Sequence, residues 1–301
     1  MKDIIRIATR KSPLALKQAN IVKELLRPTT ECEIVAMSSS GDTFSDKKFK
    51  EHGGKGLFLK ELEESLLAGR SDIAVHSLKD VPAVVEKRFR IACISKRENP
   101  ADVLISDKYE SIEEMPVDSI IGTSSPRRLA MLKNISKDFD VVGLRGNIQT
   151  RLDKMRSKKL DGIILAAAGL HRMGLEDQIK QYLPLDKFTP SAGQGILCVQ
   201  YLRKNNKIKD IIDGCIDIDV QACADIEREF IEYINGDCMS PIGVHATVKN
   251  TEISVTAFVS SLDGHKHIRS KYVTNTSTKD RPGEILANIF LKQGVKKLLK
   301  N

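Results

Sequence analysis

The chain has 301 residues, enough for one large domain or two to three small ones. It is 41% apolar and 29% charged, which suits a packed core under a wetted surface; 48 Lys and Arg against 40 Asp and Glu give a formal charge of +8, weakly favouring anionic partners. Its six cysteines (Cys32, Cys93, Cys198, Cys215, Cys223, Cys238) form no C-x-x-C pair, so zinc and thioredoxin-like sites lose their usual support, and no apolar run reaches the length of a membrane span. The N-terminal stretch MKDIIRIATRKSP is too charged for a signal peptide, and a soluble, reducing, cytoplasmic setting with free thiols is expected.

In chain order, IIRIAT reads as a first strand, and Ser12-Pro13 supplies an N-cap and first helical residue for LALKQANIVKELL. CEIVAM is a second strand. From Ser38 to Gly56 the chain is polar and glycine-bearing, a loop long enough to be functional. LFLKELEESLLAG is an amphipathic helix stopped by Gly69, and DIAVHSL is a third strand. A second series begins near Pro100: strands DVLIS, SIIGTSS, FDVVGLRG and DGIILAAAG, with helices PRRLAMLKNI and NIQTRLDKMRSKK between them. Strands alternating with helices predict parallel α/β sheets. GQGILCVQYL is a further apolar strand whose sheet the sequence leaves open. The last eighty or so residues change style. A helix, DVQACADIEREFIEYI, precedes the strands GVHATVK, EISVTAFVSS and HIRSKYVT and a closing helix, GEILANIFLKQGVKKLLK, an order that predicts a small α+β domain with an antiparallel sheet.

Ligands of open α/β sheets sit beyond the C-terminal ends of the strands. The residues just past the strands here are repeatedly basic: Arg10, Lys11 and Ser12 after the first, Lys79 and Asp80 after DIAVHSL, and Thr123, Ser124, Ser125, Arg127 and Arg128 after SII. Arg145 and Arg151 come after FDVVGL, and His171 and Arg172 after IILAAAGL. A single basic loop residue is ordinarily just solvated, but independent surface charges have no reason to prefer strand ends. Ser125-Pro126 followed by two arginines combines a helix start, which favours negative charge, with forked donors that suit carboxylate or phosphate. No G-x-x-x-x-G-K-[ST] phosphate loop is present, and with no Trp and 5% aromatics there is little to stack nucleic-acid bases on. The pattern fits a compact polycarboxylate. Asp80, a carboxylate among cations, serves either as an ion-pair partner or as a stabiliser of positive charge developing in a reaction. Cys238, in the polar turn NGDCMSPIG, is either packing or a reactive thiol.

RIATRKSPLAL, GGKGLFLKELE, DIAVHSLKDVP, IGTSSPRR, LRGNIQTRL, ILAAAGLHRMGL, PSAGQGIL and GDCMSPIG occur in the order found in the hydroxymethylbilane synthase (porphobilinogen deaminase) family, which the chain resembles over nearly its whole length. The resemblance implies a transferase of tetrapyrrole (haem-type) biosynthesis. It joins four porphobilinogen molecules head to tail with loss of ammonia, on a covalent dipyrromethane cofactor, and then releases the linear tetrapyrrole with water added. By position, Cys238 corresponds to the cofactor-bearing cysteine and Asp80 to the catalytic aspartate. Lys79, Asp80, Thr123, Ser124, Ser125, Arg127, Arg128 and Arg145 fall at cofactor-binding positions. Arg10, Ser12, Lys55, Ser77, Arg145, Arg151, Arg172 and Gln194 fall at positions that meet porphobilinogen and the growing polypyrrole. No metal, nucleic acid or membrane is implied, and a monomer is expected. Asp237 stands before Cys238 where many relatives carry Gly, and a neighbouring carboxylate disfavours a thiolate.

The implied fold is α/β: two hinged domains resembling periplasmic binding proteins, with a cleft between them, and a small C-terminal α+β domain bearing the cofactor cysteine. The implied boundaries are 1–97 with 193–213, then 98–192, then 214–301. The alternative is a non-catalytic polycarboxylate-binding protein on the same hinged fold, which explains the arginines but gives Asp80 and Cys238 no shared purpose. A nucleic-acid-binding role ranks third and predicts steep salt dependence.

Overall fold

The structure, a computed structural model, describes residues 4–38, 59–236 and 240–299. The chain opens with β1 (Ile5–Arg10), α1 (Pro13–Leu26), β2 (Cys32–Met37), α2 (Lys60–Leu67), β3 (Ile73–Ser77), a 3₁₀ turn at Leu78–Asp80, and β4 (Phe89–Cys93). It continues with β5 (Asp102–Ile105), β6 (Ile120–Gly122), α3 (Pro126–Ile135), β7 (Asp140–Val142), α4 (Ile148–Ser157), β8 (Gly162–Ala166), α5 (Ala167–Met173) and β9 (Gln181–Tyr182). β10 (Leu197–Leu202), α6 (Asn206–Asp213) and α7 (Ile218–Ile234) lead to β11 (Ile242–Lys249), β12 (Glu252–Ser260), β13 (His267–Asn275), α8 (Pro282–Lys292) and α9 (Val295–Leu298). Two compact units result: 1–97 with 196–224, and 98–195 with 225–301.

In the first unit the sheet order is β2-β1-β3-β10-β4. β1 runs parallel to β2 and β3, and β10 lies antiparallel between β3 and β4. β10 thus returns to the first sheet, the point its sequence left open. Alternation decides the faces: Ile5, Ile7, Ile73 and Val75 pack with Ala19, Val22 and Leu26 of α1, while Ala8 and Ala74 pack with Leu62 and Leu66 of α2. β4 and α6 are additions to the sequence reading. The FRIAC run is too short and mixed to stand out, and α6 buries only Ile208 and Ile212 behind its Asn205 cap.

In the second unit the order is β7-β6-β8-β5-β9. β6 is parallel to β7 and β8, but β5 is antiparallel to β8 and β9, a departure from the all-parallel expectation. β5 lies beyond β8 from β6, and the segment joining β5 to β6 has no crossover helix, so the connection does not force the two strands to run the same way. Val103, Ile105, Ile163 and Leu165 line one face with Leu152 and Met155 of α4, and Leu104 and Ile164 line the other with Met131 and Leu132 of α3. Burial on both faces explains why these strands read as continuous apolar runs.

DGIILAAAG does not stay extended. The strand ends at Ala166 and the strong helix former alanine opens α5, which closes on Gly174 in the left-handed region (φ +68°) with Leu175 N–H bonded to the Leu170 carbonyl. His171 and Arg172 therefore sit in the last turn of a helix rather than directly at a strand end. The expected antiparallel C-terminal sheet is β11-β12-β13. Its Phe258 enters the α3 side of the second sheet's core, a burial that contributes about 1.5–3 kcal/mol. The closing helix is two pieces, α8 and α9, divided at Gly294. No helix among the described residues is long and apolar enough to cross a membrane.

Candidate functional site

In the first unit β1 ends at Arg10, half-buried, and Ser12 caps α1 by accepting from Ala15 N–H (3.4 Å), with Pro13 as first helical residue. β3 ends at Ser77, whose Oγ accepts from Gln18 Nε2 of α1 (2.6 Å), so the two strand ends are tied through one helix. The chain then tightens into the 3₁₀ turn Leu78–Asp80. Its Leu78 is buried, Lys79 is half-buried and Asp80 is exposed. Asp80 thus presents its carboxylate to solvent at the C-terminal end of β3, with no hydrogen bond or ion pair to any described residue.

Beneath that turn lies a buried polar line. His76 Nε2 meets Gln200 Oε1 (3.0 Å), and Gln200 Nε2 donates to Glu63 Oε1 of α2 (2.6 Å). Because Gln200 spends its amide hydrogens on Glu63, it offers oxygen to His76, and Nε2 is the protonated ring nitrogen. Burial pushes His76 down to about 4, the Gln200 bond opposing and the positive charge of Arg10 assisting, so its ring is neutral near pH 7. Burial pushes Glu63 up.

In the second unit β6 runs into Thr123, Ser124 and Ser125. Thr123 N–H bonds the Val142 carbonyl of β7 (2.9 Å), and its hydroxyl accepts from Ser125 N–H (3.2 Å). Ser125 caps α3 by accepting from Arg128 N–H (3.4 Å), Pro126 stands at the first helical position, and Ser124 is exposed. Arg127 and Arg128 are 4% and 6% exposed and converge on Asp102, which is fully buried at the start of β5. Arg127 Nη1 donates to Asp102 Oδ2 (2.6 Å) and to the Thr189 carbonyl (2.9 Å). Arg128 gives Nε (3.0 Å) and Nη2 (2.7 Å) to Asp102 Oδ1, and Nη1 to the Ile164 carbonyl of β8 (2.8 Å). Gln194 Nε2 adds a bond to the same Oδ1 (3.0 Å) and another to the Pro100 carbonyl (2.7 Å). Burial alone would raise Asp102; the charges of the two arginines and the bonds from Arg127 and Gln194 outweigh it and hold the carboxyl far below the usual range. One carboxylate facing two guanidiniums leaves the cluster with a surplus positive charge at the N-terminus of α3.

The other basic positions of this unit are half-buried. Arg145 lies just past β7. Arg151, in α4, donates through Nε to the Gly146 carbonyl (2.7 Å). Arg172 Nη2 donates to the Gly195 carbonyl (2.8 Å). His171 bridges Glu98 (2.9 Å) and the Tyr182 hydroxyl (2.9 Å). Burial would raise Glu98, but bonds from Asn99 N–H and His171, with the Arg172 charge nearby, hold it down.

The structure therefore groups Arg10, Ser12, Ser77, Lys79 and Asp80 at strand ends of the first unit. It groups Thr123, Ser124, Ser125, Arg127, Arg128 and Gln194 around one helix start in the second. Lys55 and Cys238 lie outside the described residues. The helix before Cys238 ends at Ile234: Asn235 turns left-handed (φ 57°) and Gly236 N–H bonds the Ile231 carbonyl. Sequence reasoning passed over Asp102. Its only signal was an acid opening the apolar run DVLI, which nothing local explains.

Such an arrangement defines an α/β protein with cations and hydroxyls gathered at its strand ends and a buried arginine fork as its most developed element. Family models match residues 5–210 as the porphobilinogen deaminase dipyromethane cofactor binding domain and residues 221–291 as the porphobilinogen deaminase C-terminal domain. Porphobilinogen deaminase of Desulforamulus reducens is 40% identical over 303 residues, covering 100% of this chain and 98% of that protein. That of Francisella tularensis subsp. holarctica is 40% identical over 299, covering 99% of each. That of Ruthia magnifica is 38% identical over 304, covering all of both. The chain belongs to the porphobilinogen deaminase family. Among solved structures, a Bordetella pertussis BvgS VFT2 domain matches with 12% identity and a TM-score of 0.44, covering 76% of this chain and 91% of that one. A putative methionine-binding lipoprotein from Bacillus subtilis matches with 11% identity and a TM-score of 0.45, covering 72% and 92%. At that level of similarity the fold assignment rests on the sheet topology alone.

Proposed function

We infer that this chain is the transferase its family defines: it joins four porphobilinogen molecules head to tail with loss of ammonia and releases hydroxymethylbilane. Family membership over the full length carries the reading. The arginine cluster supports it physically, because a surplus buried cation at a helix start suits a carboxylate-rich group. Residues fitted to hold the cofactor's acids are Arg127 and Arg128 with the Thr123-Ser124-Ser125 turn, together with Lys79 and Arg145; Cys238 is the proposed thioether position. When bound, the dipyrromethane supplies the primer pyrrole to which incoming units are added.

The protein's own part is binding, orientation and charge. Porphobilinogen carries two carboxylates, and each desolvated acid needs a fixed cation; Arg10, Ser12, Lys55, Ser77, Arg145, Arg151, Arg172 and Gln194 are proposed to meet them. Departure of ammonia leaves positive charge on the substrate. Asp80, whose side chain no described cation neutralises, is proposed to stabilise that charge, to accept pyrrole N–H groups and to move protons. Neutral His76 adds no competing positive charge next to this turn.

The proposal keeps three domains, 1–97 with 193–213, 98–192 and 214–301. It also holds that the enzyme is a cytoplasmic monomer with neither nucleic-acid nor membrane partners; the scarcity of aromatics supports the exclusion of nucleic acid. Intact mass of the purified chain before and after exposure to porphobilinogen tests the function. A covalent increment on the chain, followed by stepwise additions, is expected. A mass that stays at the bare polypeptide overturns the reading and favours a non-catalytic polycarboxylate-binding protein.

A further inference from the structure

Two adjacent buried arginines on one helix turn repel each other and cannot both be desolvated without an anion between them. Asp102 is that anion, and its geometry does more than neutralise. Its Oδ1 gathers Arg127 Nη2 (3.3 Å), Arg128 Nε and Nη2, and Gln194 Nε2, while Oδ2 takes Arg127 Nη1. Each guanidinium has a second anchor on another segment: Arg128 on the Ile164 carbonyl and Arg127 on the Thr189 carbonyl. A guanidinium pinned at two points has lost its rotamer freedom during folding, so a ligand need not supply that ordering.

The anchor at Thr189 has a further attachment. Arg269 of β13 donates to Thr189 Oγ1 (2.7 Å) and the Lys187 carbonyl (2.9 Å), and it also reaches the Asp186 carbonyl. Val244 of β11 bonds the Pro190 carbonyl (2.8 Å), and a Cβ at Gly243 would collide with the Thr189 carbonyl. The segment that fixes Arg127 is thus also the seat of the C-terminal sheet, whose first strand opens at Ile242, four residues past Cys238 in the chain.

We propose that Asp102 is a positioning residue for anion binding: it holds Arg127 and Arg128 in one preset fork, in register with the C-terminal sheet, and leaves one positive charge over for an incoming carboxylate. This deepens the reading above and rests on Arg127 and Arg128 receiving the cofactor's acids. A purely structural ion triad predicts only lost stability when Asp102 changes. A positioning role predicts slower covalent assembly in protein that is still folded.

The test uses full-length chain produced without porphobilinogen, then exposed to it, with covalent mass gain followed in time. Circular dichroism sets a temperature at which every variant is folded. Asp102→Asn should assemble about tenfold or more slowly than the natural chain. Arg128→Gln should also be slow, and the double variant no slower than Arg128→Gln alone, because Asp102 acts through the arginines. Natural-rate assembly by Asp102→Asn, or losses that multiply in the double variant, overturns the inference. If Asp102→Asn does not fold, Asp102→Glu carries the same test: it keeps the charge but displaces the fork by a methylene, and assembly at the natural rate again overturns positioning. No mass gain by the natural chain sinks the functional reading itself, and this inference with it.

Discussion

The two units build the same local device and use it differently. In each, the first parallel strand leads to a serine cap and a proline at the first helical position: Ser12-Pro13 at α1, Ser125-Pro126 at α3. After the cap, α1 continues with Leu14 and Ala15, so its start is a plain helix entry with the cation, Arg10, on the strand side. α3 continues with Arg127 and Arg128, which turn inward and demand Asp102. Among the described residues, the first unit keeps its charged groups half-buried or exposed, including Asp80, while the second buries Arg127, Arg128 and Asp102 together. An exposed carboxylate can respond to charge that appears and disappears during a reaction. A buried fork holds an anion in fixed geometry.

The largest expected effect tests the exposed carboxylate. Asp80→Asn should lower turnover about 10²–10⁴-fold while intact mass still shows the covalent cofactor; near-normal hydroxymethylbilane formation would remove Asp80 from the chemistry. Next comes the buried fork. Arg128→Gln should cost about 3–5 kcal/mol in urea unfolding because it strips a partner from a desolvated carboxylate, whereas Arg10→Gln should cost about 1 kcal/mol or less. Equal losses would erase the distinction between the units.

The pH dependence of stability separates them further. His76 is neutral when folded and titrates near its ordinary value when unfolded, so the unfolded chain binds more protons between about pH 6.5 and 4. Stability should fall as pH drops through that window, by roughly 3 kcal/mol from this group, and His76→Gln should flatten the slope in thermal melts. Asp102 acts lower: its contribution is complete above the unfolded value of about 3.9 and is lost only as pH falls below that. The smallest effect concerns the shared device. Ser12→Ala and Ser125→Ala should each cost about 1 kcal/mol; a much larger loss at Ser125 would mean that its cap also holds the arginine fork.

Most elements were legible because their signals are local. Ser-Pro helix starts and apolar runs buried on both faces each arise from a few adjacent residues. Local reasoning failed where neighbours in space decide. DGIILAAAG became strand and helix because the sheet stops needing it after Ala166, where β5 pairing ends at Asp102. β5 ran antiparallel because no crossover helix constrains it.

By itself the sequence determined the family, the α/β class with its antiparallel C-terminal sheet, and the recurrence of cations after strands, all properties of short contiguous motifs. Only the tertiary structure decided that β10 returns to the first sheet, that Gln200 holds His76 in one tautomer, and that Arg127 and Arg128 share Asp102 with Gln194. Each joins residues from distant parts of the chain, and the energy of a buried charge depends on what stands beside it in space.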